Sequence, residues 1–362
     1  MPTEVTAAVC DPERGRDTVP QLERLTLRDP GPHEIRVRIK AVGICHTDFF
    51  AGSLSSGPVV PGHEGAGIVE AVGAQVTRVA VGDRVGLTFD SCGACPRCDA
   101  NDPAYCHDAL QLQFGLDESM ERADGTAVAG AFFKQSSFAT HALASERNAI
   151  RLPSDLPFDL AAPLGCGVQT GYGGVVNSLQ PKPGENIVIF GLGAVGLSAV
   201  IAAQHAGLST IVGIDPIAER RALAEEFGAT HTFAPDNALD AAIAPRSADY
   251  TLDCAGTEQT FTQAITLLKP RGRCGIIAVP PPDKPISFVP LNLLDGGREV
   301  VGIVEGGSDP DQFLPMLGKR VLDGSLPLER MIKRYTFENF GQAWEDAKSG
   351  KTIKPVLIMP EA

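Results

Sequence analysis

Within residues 43–67, GICHTDFFAGSLSSGPVVPGHEGAG, a thiol, an imidazole and two carboxylates fall close together in what reads as loop and turn. Cys45 and His63 are ligands of the kind Zn²⁺ takes in catalytic sites, where three protein groups bind and a fourth position stays open to a substrate oxygen. They need a third ligand from elsewhere. Asp48 lies three residues after Cys45 and Glu64 directly follows His63. Each suits a supporting role, orienting an imidazole or tuning the charge at a metal. Gly62, Gly65 and Gly67 allow tight turns and close backbone packing beside the ligand.

A second cluster is sharper. SCGACPRCDANDPAYC, residues 91–106, carries Cys92, Cys95, Cys98 and Cys106 at intervals of three, three and eight. Four thiolates so spaced can close a tetrahedron around one Zn²⁺ with no open position, a structural site. Four cysteines also hold iron–sulfur clusters, but this loop carries no other redox feature.

The third chemical signal is a glycine turn. ENIVIFGLGAVGLSAVIAAQHAG reads as an apolar strand, a turn bearing Gly191, Gly193 and Gly196 in GxGxxG spacing, and a helix. That setting predicts a pyrophosphate cradle, with the helix N-terminus facing negative charge. The following strand, STIVGID, ends on Asp215, placed to bind the adenosine ribose hydroxyls. Strand-like runs around Thr232 and in DYTLDCAG, GRCGIIAV and EVVGIV alternate with the helical segments AERRALAEEFG and EQTFTQAITLLK. Six strands predict two mononucleotide-binding halves of a doubly wound Rossmann domain.

The elements before it are mostly sheet. IRVRIKAV, GIVEAV and RVGLTF have strand patterns, residues 114–130 read as a surface loop, and FFKQSSFATHAL resumes the strand pattern. RLPSDLPFD leads to a helix bearing Cys166, and from about Ser308 two helical segments and the strand TIKPVLIM close the chain. The expected organisation is α/β. Residues 1–167 and 306–362 form a mostly-β catalytic domain, interrupted by a cofactor domain over 168–305.

A length of 362 residues favours two domains, and the net charge of −13 argues against nucleic-acid or anionic-membrane partners. The apolar run 187–203 is broken by the fingerprint glycines, so it reads as strand, turn and buried helix rather than a membrane span. MPTEVTAAVC lacks the basic and apolar regions of a leader, and cysteines in metal-ligand spacing suit a reducing, cytoplasmic compartment.

GICHTD, GHEGAG, LTFDSCGAC, FFKQSSFATHAL, PLGCGVQTGYG and SGKTIKPVL together resemble the zinc-dependent medium-chain alcohol dehydrogenases, most of all their bacterial aryl-alcohol (benzyl-alcohol-type) branch. The resemblance runs along essentially the whole chain. It implies a GroES-like catalytic fold, two Zn²⁺ per chain, NAD, a small alcohol or aldehyde substrate, and a homodimer or homotetramer. It makes Cys166 the third catalytic ligand and leaves Cys10, Cys254 and Cys274 as ordinary thiols. Thr47 then matches the hydroxyl that bonds the substrate alcohol and begins a proton relay. His46 and Lys354 match basic residues at the pyrophosphate, Thr170, Val195 and Val279 contacts around the nicotinamide, and Arg220 a basic residue beside the adenosine ribose. Two departures stand out: Phe50 replaces a histidine that relays the proton in many relatives, and the segment between Cys45 and His63 is short.

The implied reaction is reversible oxidation of primary alcohols. Phe49, Phe50, Leu54 and Phe89 form a candidate apolar pocket favouring aromatic or allylic alcohols of benzyl, cinnamyl or terpenoid type. A dehydrogenase of thiol adducts such as S-hydroxymethyl glutathione is the competing enzyme. A non-catalytic zinc- and nucleotide-binding protein is the competing class, and it fits poorly with Cys45, His63, Cys166, Thr47 and Asp48 all in place.

Overall fold

A computed structural model of the chain describes residues 2–15, 18–235, 244–278 and 285–361. It has two compact units: Met1–Cys166 with Asp309–Ala362, and Gly167–Ser308.

In the first unit, β1 (Thr3–Val9) and β2 (Gln21–Leu27) pair antiparallel. The longest strand, β3 (Glu34–Gly43), buries every second residue before its last turn, the period that presents one face to a core. β4 (Gly65–Val72) and β5 (Arg84–Leu87) extend its sheet. Residues 114–130 are not the expected loop. They hold β6 (Asp117–Glu121) and β7 (Ala127–Gly130), which complete the β1–β2 sheet. The signal lay in Asp124-Gly125, a hairpin turn pair; Gly125 takes φ 85° and its N–H donates to the Arg122 carbonyl.

FFKQSSFATHAL also departs from expectation. Ala131, Phe133, Lys134 and Ser136 all have left-handed backbone, and regular strand resumes only at β8 (His141–Ser145), followed by β9 (Ala149–Arg151). The Asn148 side chain holds this irregular turn by donating to the Phe133 and Lys134 carbonyls.

The second unit is a six-stranded parallel sheet built from β10 (Asn186–Phe190), β11 (Thr210–Ile214), β12 (His231–Phe233), β13 (Ala248–Asp253), β14 (Leu268–Ile276) and β15 (Glu299–Gly302). Its order is β12-β11-β10-β13-β14-β15, the doubly wound arrangement with its switch point between β10 and β13. The helix Ala194–His205 is apolar nearly all round and correspondingly buried. Thr257 caps the helix Glu258–Leu267, its hydroxyl accepting from the Thr260 amide at 3.1 Å.

The chain then returns to the first unit. β16 (Ile332–Thr336) pairs parallel with β17 (Lys354–Ile358), and β17 adds antiparallel to β3, setting Val356 opposite Gly43. The helix Phe340–Lys348 sends Phe340 and Trp344 into the core with Val9, Ile35, Val37 and Ile39. Each such fully buried large apolar side chain contributes about 1.5–3 kcal/mol.

A small lobe of short turns carries the four-cysteine cluster, whose sulfurs lie within 4.8 Å of one another. Separations of 3.6 Å (Cys95–Cys98), 3.9 Å (Cys95–Cys106) and 4.0 Å (Cys92–Cys98) fit the edge of a ZnS₄ tetrahedron, about 3.8 Å for a Zn–S bond of about 2.3 Å. The Cys92 and Asp108 amides donate to Cys106 Sγ at 3.3 and 3.4 Å. Backbone donors, first that of His107, bring the Cys95 thiol down to about 6. A lobe with so little apolar core depends on its metal for order. Cys98→Ala is therefore expected to remove about one zinc equivalent per chain, checked by elemental analysis, and to lower Tm by several degrees while the second unit keeps its far-UV signal.

Candidate active site

β3 runs out at Gly43, and Cys45 follows as the N-cap of a 3-10 helix, His46–Phe50. Asp48, wholly buried in that turn, accepts from the Cys45 amide at 2.8 Å through Oδ2. Through Oδ1 it accepts from the Gly62 amide at 3.2 Å and from His63 Nδ1 at 2.7 Å. The His63 proton is thereby fixed on Nδ1, leaving Nε2 as the lone-pair donor. That Nε2 is buried with no hydrogen-bond partner. A buried nitrogen without a hydrogen-bond partner, beside two cysteine sulfurs, is the donor arrangement of a metal site.

Cys166 completes the set: the ligand atoms of Cys45, His63, Glu64 and Cys166 lie within 4.8 Å of one another. Cys166 is not on a helix as expected. It has φ −145° at the break between the turn Ala162–Gly165 and the helix Gly167–Gly173, and Thr88 Oγ1 braces that turn by donating to the Gly165 carbonyl at 2.7 Å. The hydrogen bond with Cys166, followed by the positive charges of His63 and Lys354, holds the Cys45 thiol well below its ordinary range. Burial, the largest single influence, would lower His63, but the contributions of Asp48 and Cys45 together outweigh it and raise the imidazole well above its usual value. The cluster thus holds a thiolate and a proton that a divalent cation would displace.

Glu64 points to a different partner. Lys354, at the start of β17 and 4% exposed, donates to both Glu64 oxygens at 2.8 and 2.9 Å and to the Ile44 carbonyl at 3.2 Å. In this structure Lys354 is thus a buried counter-charge to Glu64 rather than a solvated lysine. Burial raises Glu64 above the usual carboxylate range despite this partner. Gly43 makes room for the pair, since a Cβ there would sit 2.0 Å from Glu64 Oε2.

The pocket residues divide. Phe49 is half-buried and packs edge-on to Trp344 at 4.6 Å, against the main core. Phe50 and Leu54 are 45% and 46% exposed, whereas Phe89 is buried with Ala51, Phe132 and Phe133. Thr47 Oγ1 lies 3.9 Å from Cys45 Sγ, and His46 is exposed with its ring 5.6 Å from Phe49. Sequence reading missed Phe133, stacked on His63 at 4.5 Å, and Gln135, which donates to the His63 and Thr88 carbonyls and accepts from the Gly65 amide. Only their place in FFKQSSFATHAL, read as plain strand, hinted at either.

In the second unit Gly191 has φ 86°, and a Cβ on Gly196 would lie 1.9 Å from the Gly191 carbonyl oxygen, so both positions require glycine. Gly193 caps the helix Ala194–His205, whose first turn carries no acidic residue. Such a helix N-terminus suits an anion. Val195 is half-buried on that first turn, and Val279 lies outside the described residues. Asp215 accepts from the Leu192 and Ile217 amides, both at 2.8 Å, with Arg220 3.8 Å away. Thr170, buried, donates to Glu305 at 3.3 Å. Burial pushes Cys10 and Cys274 up to about 12 and raises Cys254 further, which keeps all three as thiols.

Residues 31–154 match the family described as alcohol dehydrogenase GroES-like domain, and residues 194–319 the zinc-binding dehydrogenase family. The geraniol dehydrogenase of Castellaniella defragrans is 40% identical over 93% of this chain and 94% of its own length. An alcohol dehydrogenase zinc-binding domain protein from Burkholderia ambifaria superposes with a TM-score of 0.93 at 40% identity, covering 100% of both chains. The benzyl alcohol dehydrogenase of Acinetobacter calcoaceticus superposes with a TM-score of 0.91 at 35% identity, over 99% of this chain and 100% of that one. Likeness of this extent, on a chain whose buried His63 and two cysteines converge as a metal site, means that the protein belongs to the zinc-dependent alcohol dehydrogenases.

Proposed function

We propose that this chain interconverts aromatic or allylic primary alcohols and their aldehydes, using NAD⁺ as the hydride acceptor. The convergence of Cys45, His63 and Cys166 around the unpartnered His63 Nε2 carries this reading. Zinc held there would supply Lewis-acid polarisation of the substrate oxygen, and bound NAD⁺ the chemistry of hydride acceptance. Asp48 keeps the imidazole in its ligating tautomer. Thr47, 3.9 Å from Cys45 Sγ, takes the substrate hydroxyl proton on Oγ1 and passes its own onward. Phe50 has no polar atom with which to extend that relay.

The aromatic preference is supported by the cluster of Phe89, Phe132 and Phe133 beside His63, and by the geraniol and benzyl alcohol enzymes among the relatives. Asp215 supports NAD⁺ over NADP⁺: two amides occupy only part of the carboxylate's capacity, leaving sites for ribose hydroxyls, and a 2′-phosphate would meet its charge. Arg220 softens that repulsion. A homodimer or homotetramer is also part of this reading, with the row Phe288, Val289, Leu291 and Leu294, 47–77% exposed, as the surface to be covered.

Initial rates across an alcohol panel test the substrate class. We expect kcat/KM for benzyl, cinnamyl or geranyl alcohol to exceed that for ethanol by at least about tenfold with no thiol added. A strict requirement for a thiol would instead favour the thiol-adduct enzyme. For the cofactor, NAD⁺ is expected to outperform NADP⁺ by about 10²-fold in kcat/KM, and Asp215→Ser to narrow the gap. Equal use of both by the parent enzyme would refute the role of Asp215. Thr47→Ala is expected to lower kcat by roughly 10²–10⁴-fold with zinc content unchanged, while Thr47→Ser, which keeps the hydroxyl, stays close to the parent.

A further inference from the structure

Glu305 lies just beyond the carboxyl end of β15 and is 9% exposed. Its backbone is left-handed, φ 47°, followed by Gly306 at 66° and Gly307 at 54°. A glutamate keeps such a conformation only where its surroundings impose it. They do so here through a dense polar network within the second unit. Gln169 Nε2 and Thr170 Oγ1 donate to Glu305 Oε2 at 3.1 and 3.3 Å. The Ser308 hydroxyl bridges Gln169 Oε1 and the Glu305 carbonyl at 3.0 and 2.7 Å, and Asn177 Nδ2 donates to the Gly306 carbonyl at 3.1 Å. A Cβ on Gly306 would lie 2.2 Å from the Gln169 carbonyl oxygen, and one on Gly171 only 1.9 Å from that of Val195. The helix Gly167–Gly173 is therefore held backbone to backbone against both the Glu305 turn and the fingerprint helix.

Position in the sheet relates Glu305 to a bound dinucleotide. Dinucleotides lie outside the carboxyl ends of the strands, spanning the switch point between β10 and β13. Asp215, at the end of β11, marks the adenosine half. The half over β13, β14 and β15, where Glu305 sits, is left for the nicotinamide. We propose that the buried carboxylate of Glu305 sets the redox-state preference of the cofactor site, tightening NAD⁺, whose ring is a cation, relative to NADH, whose ring is neutral. This rests on the reading of the chain as an NAD enzyme. Gln169 Nε2 and Thr170 Oγ1 meet Glu305 Oε2 as donors, the arrangement of an acceptor carboxylate. A unit charge in a partly dry site changes a binding ratio by on the order of tenfold.

The test is Glu305→Gln, which keeps the side-chain shape and an oxygen for both donors while removing the charge. Kd for NADH is measured by nucleotide fluorescence and Kd for NAD⁺ by competition, on the zinc-loaded enzyme. The ratio of Kd(NAD⁺) to Kd(NADH) is expected to rise about tenfold over the parent, nearly all of it through NAD⁺. Loosening of the turn alone would weaken both forms alike, so an unchanged ratio overturns the proposal whatever happens to the two affinities. If Glu305→Gln does not fold, Glu305→Gly replaces it, since glycine takes φ 47° without strain, and the same rise in ratio is expected. A parent enzyme that binds neither nucleotide would overturn the cofactor reading itself, an outcome distinct from an unchanged ratio.

Discussion

The Asp48 carboxylate, with no exposed surface, is the tie on which the catalytic unit depends. It receives three donors, the Cys45 amide, the Gly62 amide and His63 Nδ1, and so joins the turn after β3 to the turn before β4. Hydrogen bonds to a charged group contribute about 1.5–3 kcal/mol each, and a buried carboxylate stripped of them would carry a larger penalty. The consequence is chemical as well as structural. With Cys45 and His63 anchored to one carboxylate, a cysteine sulfur and the imidazole Nε2 meet at a single point, and a metal-binding imidazole has only one tautomer open to it.

Around that point the protein accumulates groups that are costly to bury and therefore mutually dependent. The Glu64–Lys354 pair is desolvated on both sides, and such pairs are weak contributors to net stability because the desolvation cost rivals the attraction. What the pair does instead is fix position. Lys354 opens β17, so its bond to Glu64 and to the Ile44 carbonyl pins the C-terminal strand beside the end of β3. That explains why residues 309–362 leave the parallel sheet and finish the first unit: the core of that unit lacks Phe340, Trp344 and Leu357 without them.

The second unit faces a different problem, that of presenting a site to a large anionic ligand. Backbone does the work, through a left-handed glycine, a helix N-terminus free of acidic residues, and glycines at each close approach between segments. Two of its buried carboxylates stand on opposite sides of the switch point, Asp215 after β11 and Glu305 after β15. On the readings proposed above, the first repels a 2′-phosphate and the second attracts the nicotinamide cation.

Local chemistry was legible in the sequence wherever a function depends on short spacing. The four cysteines of residues 92–106, the pairing of Cys45 with His63, the glycine fingerprint and the parallel βα alternation all lie within single segments, where the geometry of a turn or a strand end follows from the residues themselves. Tertiary structure alone decided the rest, because those contacts join residues tens to hundreds of positions apart. Lys354, read as a basic residue at the pyrophosphate, is buried against Glu64; Phe49, read as a pocket wall, packs on Trp344; and FFKQSSFATHAL, read as strand, begins as a left-handed turn that lays Phe133 on His63. Alternation and propensity describe one segment at a time, and none of them records which distant carboxylate, ring or backbone group the fold will bring to meet it.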